Sequence, residues 1–170
     1  MSIKRVIIIV GDESVGKTRM IRILAKALRV HGYQYTDLLQ TPAGQKLNAL
    51  ASHTIENDDI FGVLSGEFNR IGILSAGDGK KEVLDCLNEF DNHSIDTVVC
   101  AARVSNNEDI KGDINDYYDA KSTEKPMLRY IPIPYVRERN DIEKDYQYVA
   151  MRKAQVTNFL EEVLLAINGF

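Results

Sequence analysis

Eight residues near the start of the chain, GDESVGKT, place glycine, lysine and threonine at a spacing that suits phosphate binding. Gly11 and Gly16 bound the segment, and Lys17 and Thr18 complete it. Two glycines allow successive backbone N–H groups to point toward one centre, and a helix that begins there adds the positive end of its dipole. Lys17 can then contact phosphate oxygens, and the Thr18 hydroxyl can coordinate Mg²⁺. The predicted cradle consists of Gly11, Asp12, Glu13, Ser14, Val15, Gly16, Lys17 and Thr18.

The segments on either side of this loop have the patterns of a strand and a helix. RVIIIV, residues 5–10, is a β-branched run of the kind found in central parallel strands that are covered on both faces. Ile21, Leu24 and Leu28 then recur at helical spacing until Gly32. A glycine-rich turn before a purely structural helix is the alternative interpretation. The complete motif between a strand and a helix favours phosphate binding.

With this strand, loop and helix the chain resembles the P-loop, or Walker A, nucleoside triphosphatases. The resemblance implies a site for a nucleoside triphosphate, with ATP as the expected nucleotide, and for Mg²⁺. It also implies one of two classes of function. The first is an enzyme that transfers the γ-phosphoryl group to a small-molecule acceptor or hydrolyses it. The second is a nucleotide-dependent switch that hydrolyses slowly and binds a protein partner.

The rest of the chain alternates strands with helices. We expect a short strand at 33–39, a β-hairpin from runs at about 59–64 and 70–76, a helix through Val83 and Leu87, a buried strand in IDTVVCAA, a last strand at 127–134, and a long amphipathic helix ending near Gly169. This order predicts one domain over residues 1–170. Its fold class is α/β, a three-layer α/β/α sandwich with a mostly parallel sheet and the antiparallel hairpin at an edge.

Two segments between these elements are expected to form an acceptor site or a lid. The region around Pro42 and Gly44 is predicted as a weakly specified connection within 40–57. The polar, acidic segment 104–125 has one helical stripe of apolar and aromatic residues, namely Ile110, Ile114, Tyr117 and Tyr118.

Asp78 is the candidate for a second acidic group near Mg²⁺, which phosphoryl transfer or switching requires. Such an acid is expected at the end of a strand that neighbours the cradle strand. Asp78 could equally cap a helix starting near Gly79, and the two roles can coexist. The hairpin followed by SAGDG resembles the corresponding region of small GTPases. However, Leu74 stands where those proteins have an acid, and no N-K-x-D motif follows, so GTP specificity is not predicted.

Two further resemblances are partial. GDESVGKT followed by HGY resembles the start of ATP-dependent carboxylate-activating synthetases such as dethiobiotin synthetase, whose other signatures are missing. Residues 71–78 and 100–103 resemble runs in small P-loop proteins that have no assigned role. The second likeness supports the fold more than any activity.

Three residues near strand ends complete the predicted site, because ligands in such sheets bind outside the carboxyl ends of the strands. Arg103 could stabilise the transferring phosphoryl group as an arginine finger, or form a surface salt bridge. Tyr135 could help to form an apolar slot for the base. Arg137 could lie near phosphates, or belong to a solvated charge run. The predicted catalytic residues are therefore Lys17, Asp78 and Arg103, and the predicted Mg²⁺ ligands are Thr18 and Asp78.

Composition limits the other classes of function. The net charge of −4 and the pI of about 5.4 provide no overall attraction to nucleic acid, although a local basic patch is compatible with them. No apolar run is long enough to span a membrane, and the N-terminus has no signal-peptide pattern, so a cytoplasmic protein is expected. Cys86 and Cys100 are predicted to be reduced core residues rather than a disulfide.

Overall fold

The elements follow one another along the chain largely as predicted. The structure, a computed structural model, describes residues 3–11, 17–50, 60–76, 79–105, 108–121, 125–133 and 142–168. The strands are β1 (Arg5–Gly11), β2 (Gln34–Asp37), β3 (Phe61–Ser65), β4 (Arg70–Leu74), β5 (Thr97–Ser105), β6 (Glu108–Asp109) and β7 (Met127–Pro132). The helices are α1 (Lys17–Val30), α2 (Pro42–Leu50), α3 (Lys80–Phe90), α4 (Ile110–Lys121) and α5 (Ile142–Asn168).

Six strands form a mostly parallel sheet in the order β2-β3-β4-β5-β1-β7, and β6 pairs with β5 outside this path. β1 pairs in parallel with both β5 and β7, and β4 pairs in parallel with β5. β3 is antiparallel to both β2 and β4. The predicted α/β class and the β3–β4 hairpin are thus confirmed. The hairpin is not at the edge as expected, because β2 pairs with β3 on its outer side.

Helices cover both faces of the sheet, which is compatible with the predicted three-layer sandwich. Val6 and Ile8 of β1 pack in a core with α2, α3 and α4, whereas Ile7 and Ile9 pack in a second core with α1 and α5. This division follows from the alternation of side chains along a strand. A β1 buried on both faces explains its continuous β-branched sequence.

Residues 42–50 form the helix α2, so the expectation of a weakly specified connection is wrong there. Thr41 provides the N-cap, since its Oγ1 accepts the N–H of Gly44 at 3.2 Å. Pro42 occupies the first helical position, where the missing N–H has no cost. Ala43 and Leu47 are buried against the sheet. The Thr-Pro pair was therefore a helix-start signal.

The acidic segment after β5 also contributes to the core. α4 buries Ile110, Ile114 and Tyr118 against the sheet. The predicted apolar stripe is confirmed for these three residues. A helix anchored in this way forms part of a layer of the fold, and a role of segment 104–125 as an acceptor site or lid stays a prediction.

Both cysteines are free and buried, as predicted. Burial raises the pKa of the Cys100 thiol to about 12, because a thiolate would lose its hydration there. The thiol is therefore protonated at neutral pH and is not a nucleophile. Among the helices that the structure describes, none combines the length and apolar character that a membrane span requires.

Tyr118 provides a stability prediction, because its buried hydroxyl has no hydrogen-bond partner in the described part of the chain. The side chain is only 3% exposed, and its ring packs edge-on against Tyr117. An unsatisfied buried polar group costs about 1–3 kcal/mol. Tyr118→Phe keeps the ring and removes that cost, so we expect the free energy of unfolding in urea to rise by about 1 kcal/mol.

Tyr117→Phe is the matched control. The Tyr117 hydroxyl accepts a hydrogen bond from the Lys121 ammonium at 2.5 Å, so its removal should not stabilise the protein. A clear loss of stability in Tyr118→Phe would show instead that the buried hydroxyl is hydrogen-bonded, for example to an internal water.

Candidate functional site

The carboxyl ends of three parallel strands lie side by side around Gly11. Gly11 pairs in register with Arg103 of β5. On the other side, the Ile133 N–H donates to the Val10 carbonyl at 2.8 Å, just after β7. β1 therefore ends between these two neighbouring strands.

A crevice is expected between β1 and β5, because the helices that follow these strands pack on opposite faces of the sheet. α1 is the next element after β1, and α4 follows β5 after the short strand β6. α1 and α4 belong to the two different core layers. Open α/β sheets bind ligands outside the carboxyl ends of strands at such a switch point.

Lys17 is held against the end of β1 by a hydrogen bond to Gly11. It is the first residue of α1, is 8% exposed, and its Nζ donates a hydrogen bond to the Gly11 carbonyl oxygen at 2.9 Å. The bond links the two ends of the predicted cradle. The structure thus brings Gly11 and Lys17 together, whereas Asp12, Glu13, Ser14, Val15 and Gly16 lie outside the described residues.

The start of α1 is electropositive. Its first turn contains no acidic residue and begins with Lys17. The N-terminus of a helix already has a positive partial charge, and acidic residues are usually favoured there. The local charge therefore favours an anion. Thr18 is partly buried next to Lys17, and its role toward Mg²⁺ stays a prediction.

Arg103 lies within β5, which continues to Ser105, and not after the strand as expected. Val99 and Ala101, which precede it at two-residue steps, pack in the core that contains α1. By the same alternation Arg103 lies on the α1 side of the sheet. It is partly buried and level with Gly11. Gly11 thus has the Lys17 ammonium on its carbonyl oxygen and Arg103 beside it in the register of the sheet.

The expectation that Asp78 follows a strand next to β1 is wrong. β5 lies between β4 and β1, so the β4 and β1 backbones are about 9–10 Å apart, which is twice the strand spacing. The helix-cap interpretation is also corrected. α3 begins at Lys80 and its N-cap position is Gly79, one residue after Asp78. Asp78 itself lies outside the described residues.

The end of β4 is nevertheless fixed in position. Ser75 is buried, and its Oγ accepts the Ile60 N–H at 2.7 Å. The Ser75 N–H donates in return to the Ile60 carbonyl at 2.8 Å. This reciprocal pair attaches the segment that leads to Asp78 to the start of the hairpin.

The predicted base-binding residue Tyr135 and the predicted phosphate-binding residue Arg137 lie outside the described residues.

No protein-family model, curated protein or solved structure matches the chain. The chemistry of the site is therefore inferred from its own residues. Within the described ranges, no three His, Cys, Asp or Glu side chains come together as a metal site. The pairing of Gly11 with Arg103 had no local signal, because it joins residues far apart in the sequence.

Proposed function

We propose that the protein binds a nucleoside triphosphate, with ATP as the expected nucleotide, and Mg²⁺ at the crevice between β1 and β5. It would transfer the γ-phosphoryl group to a small acceptor or hydrolyse it. The observation that carries this proposal is the position of the Lys17 ammonium, buried at the start of α1 and bonded to the Gly11 carbonyl at the end of β1. A polyphosphate is the ligand class that best suits such a site.

The basic residues at the crevice fit the charge of this ligand. Lys17 would contact the β- and γ-phosphates, and the first N–H groups of α1 would donate to phosphate oxygens. Arg103 would stabilise the charge that develops on the γ-phosphoryl group. Thr18 would hold Mg²⁺, which neutralises phosphate charge when it is bound.

Asp78 is proposed to act on Mg²⁺ through a bound water rather than by direct contact, because β5 separates its strand from β1. Outer ligands of this kind typically contribute about 10- to 100-fold to metal affinity. We therefore expect Asp78→Asn to raise the Mg²⁺ concentration needed for half-maximal nucleotide binding by about tenfold. The melting temperature without ligand should stay unchanged. A lower melting temperature with intact Mg²⁺ dependence would indicate a structural role.

The proposal is tested by a thermal-shift screen of ATP, GTP, CTP, UTP and ADP, each with and without Mg²⁺. We expect a triphosphate to raise the melting temperature, and to do so more strongly when Mg²⁺ is present. A panel of phosphoryl acceptors with the best nucleotide would then identify the reaction. The absence of stabilisation by every nucleotide at millimolar concentration would overturn the proposal.

A nucleotide-dependent switch is the second candidate, and the Ser75–Ile60 hydrogen bonds favour it. Through them, a change in the segment after β4 would reach the start of β3 and then the outer strand β2. A switch predicts slow hydrolysis and different hydrogen exchange of β2 and β3 in the di- and triphosphate states. An enzyme of the first class predicts fast turnover once the right acceptor is supplied.

A further inference from the structure

The outward face of α1 carries a stripe of basic residues that nucleotide binding does not explain. The stripe consists of Arg19, Arg22, Lys26 and Arg29, at steps of three, four and three residues. With 3.6 residues per turn they occupy an arc of about 80°. α1 contains no aspartate or glutamate, although the whole chain has a net charge of −4. The net charge of this helix is thus positive, whereas that of the chain is negative.

On the other face of the sheet, exposed lysines form ion pairs with acidic residues. There, cross-helix ion pairs such as Lys46–Asp85 and Lys80–Asp113 neutralise them. In contrast, Arg19, Lys26 and Arg29 are exposed, and none of them forms an ion pair with an acidic residue in the described ranges.

Of these three residues, Lys26 and Arg29 lie three positions apart and repel each other in the isolated protein. Like charges three or four residues apart on a helix destabilise it by about 0.2–0.5 kcal/mol per pair. Folding alone does not explain why these positions are all basic. An anionic partner would remove the repulsion.

Apolar residues accompany the basic stripe. Ile23, Ala27 and Val30 follow one another at steps of four and three residues, which is the spacing of a helix–helix seam. Val30 is 79% exposed. Arg19 lies four residues before Ile23, and Lys26 lies four residues before Val30. Charged residues commonly flank a helix–helix seam at such positions. The face combines a narrow apolar line with basic residues, as expected for binding an amphipathic helix.

The neighbouring helix argues against a broad anionic surface as the partner. α5 covers the same face of the sheet as α1, and its Glu161 and Glu162 are exposed, with Glu162 paired to Arg129 at 3.8 Å. A membrane or a nucleic-acid duplex resting on this face would approach these carboxylates. A single helix is about 10 Å wide and can lie along α1 alone. α1 also has no aromatic residue on which unpaired bases could stack.

We propose that this face of α1 docks an acidic amphipathic helix of a partner protein. The carboxylates of that helix would contact Arg19, Lys26 and Arg29, and its apolar residues would pack on Ile23 and Val30. This inference does not rest on the proposed nucleotide function, because the stripe lies on the outward side of α1 and does not include Lys17.

The test uses two synthetic peptides of identical composition, rich in glutamate and leucine. In one, the residues follow the helical period, and in the other their order is permuted to break it. Binding is measured by fluorescence anisotropy at two salt concentrations. We expect the periodic peptide to bind at least about tenfold more tightly than the permuted one. We also expect added salt to weaken this binding.

Two charge-matched variants locate the contact. Arg19→Gln/Lys26→Gln/Arg29→Gln should lose about tenfold or more in affinity for the periodic peptide. Lys4→Gln/Lys81→Gln/Lys153→Gln removes three exposed charges outside α1 and should bind as the wild type does. Lys17→Ala should also bind the peptide normally, which separates failure of this proposal from failure of the nucleotide site.

Several outcomes would overturn the proposal. Equal binding of the two peptides would mean attraction to charge alone. Tighter binding of a single-stranded oligonucleotide, or of phosphatidylserine vesicles, would assign the stripe to another class of partner. No binding of the periodic peptide, or equal loss in both triple variants, would show that the stripe is not a docking site.

Discussion

We expect Lys17→Ala to abolish the thermal stabilisation that ATP and Mg²⁺ are proposed to give to the wild-type protein. A ligand at one hundred times its dissociation constant adds about 2.7 kcal/mol to stability. For a chain of this size that energy corresponds to a rise of roughly 5–10 °C in melting temperature. The alanine variant removes the ammonium group that is held beside the Gly11 carbonyl. We expect its melting temperature to be the same with and without nucleotide.

Two controls separate ligand binding from stability. Lys17→Met keeps a long side chain in the buried position and should also lose the nucleotide-dependent shift. Lys26→Ala removes an exposed lysine from the same helix and should retain the nucleotide-dependent shift in melting temperature. A wild-type shift in both Lys17 variants would contradict the proposed site.

Arg103→Ala is expected to lower the rate of phosphoryl transfer or hydrolysis by about 10³-fold or more, which is the contribution of an arginine that stabilises the transition state. Arg103 is level with Gly11 and lies on the α1 side of the sheet, so its guanidinium is suited to this role. Nucleotide binding should weaken much less than turnover, because the charge that the arginine stabilises develops during the reaction. Turnover and thermal shift are measured on the same preparation.

Arg103→Lys and Arg19→Ala are the controls. Lysine keeps the charge but not the planar fork of donors, so we expect it to restore only part of the rate. Arg19 is an exposed basic residue of α1, and its removal should leave turnover near the wild-type value. If Arg103→Ala lowers the melting temperature equally with and without nucleotide and leaves turnover intact, Arg103 is a structural residue.

Most individual elements could be predicted because their signals are local. The β-branched run of β1, the apolar spacing of α1 and α5, and the two runs of the hairpin all depend on neighbouring residues. α2 was missed because Pro42 and Gly44 favour turns in isolation. In the folded chain Thr41 caps a helix there, and the buried Leu47 anchors it.

The order of the strands could not be predicted in the same way. The hairpin and the following acid suggested that Asp78 would follow a neighbour of β1, but β5 pairs with β1 instead. Such a choice depends on side-chain packing between segments many residues apart. The pairing of β5 with β1 matters for the chemistry of the site, because it places Arg103 rather than an acidic residue beside Gly11.

The sequence by itself determined the segments that form strands and helices, and the motif that suggests a polyphosphate ligand. These properties depend on residues within a few positions of one another, so their physical cause is already present in the unfolded chain. Only the tertiary structure decided which strand ends meet, that Lys17 is buried against Gly11, and that Arg103 lies level with them. Those contacts exist only after the β-strands have paired and the helices have packed on both faces of the sheet.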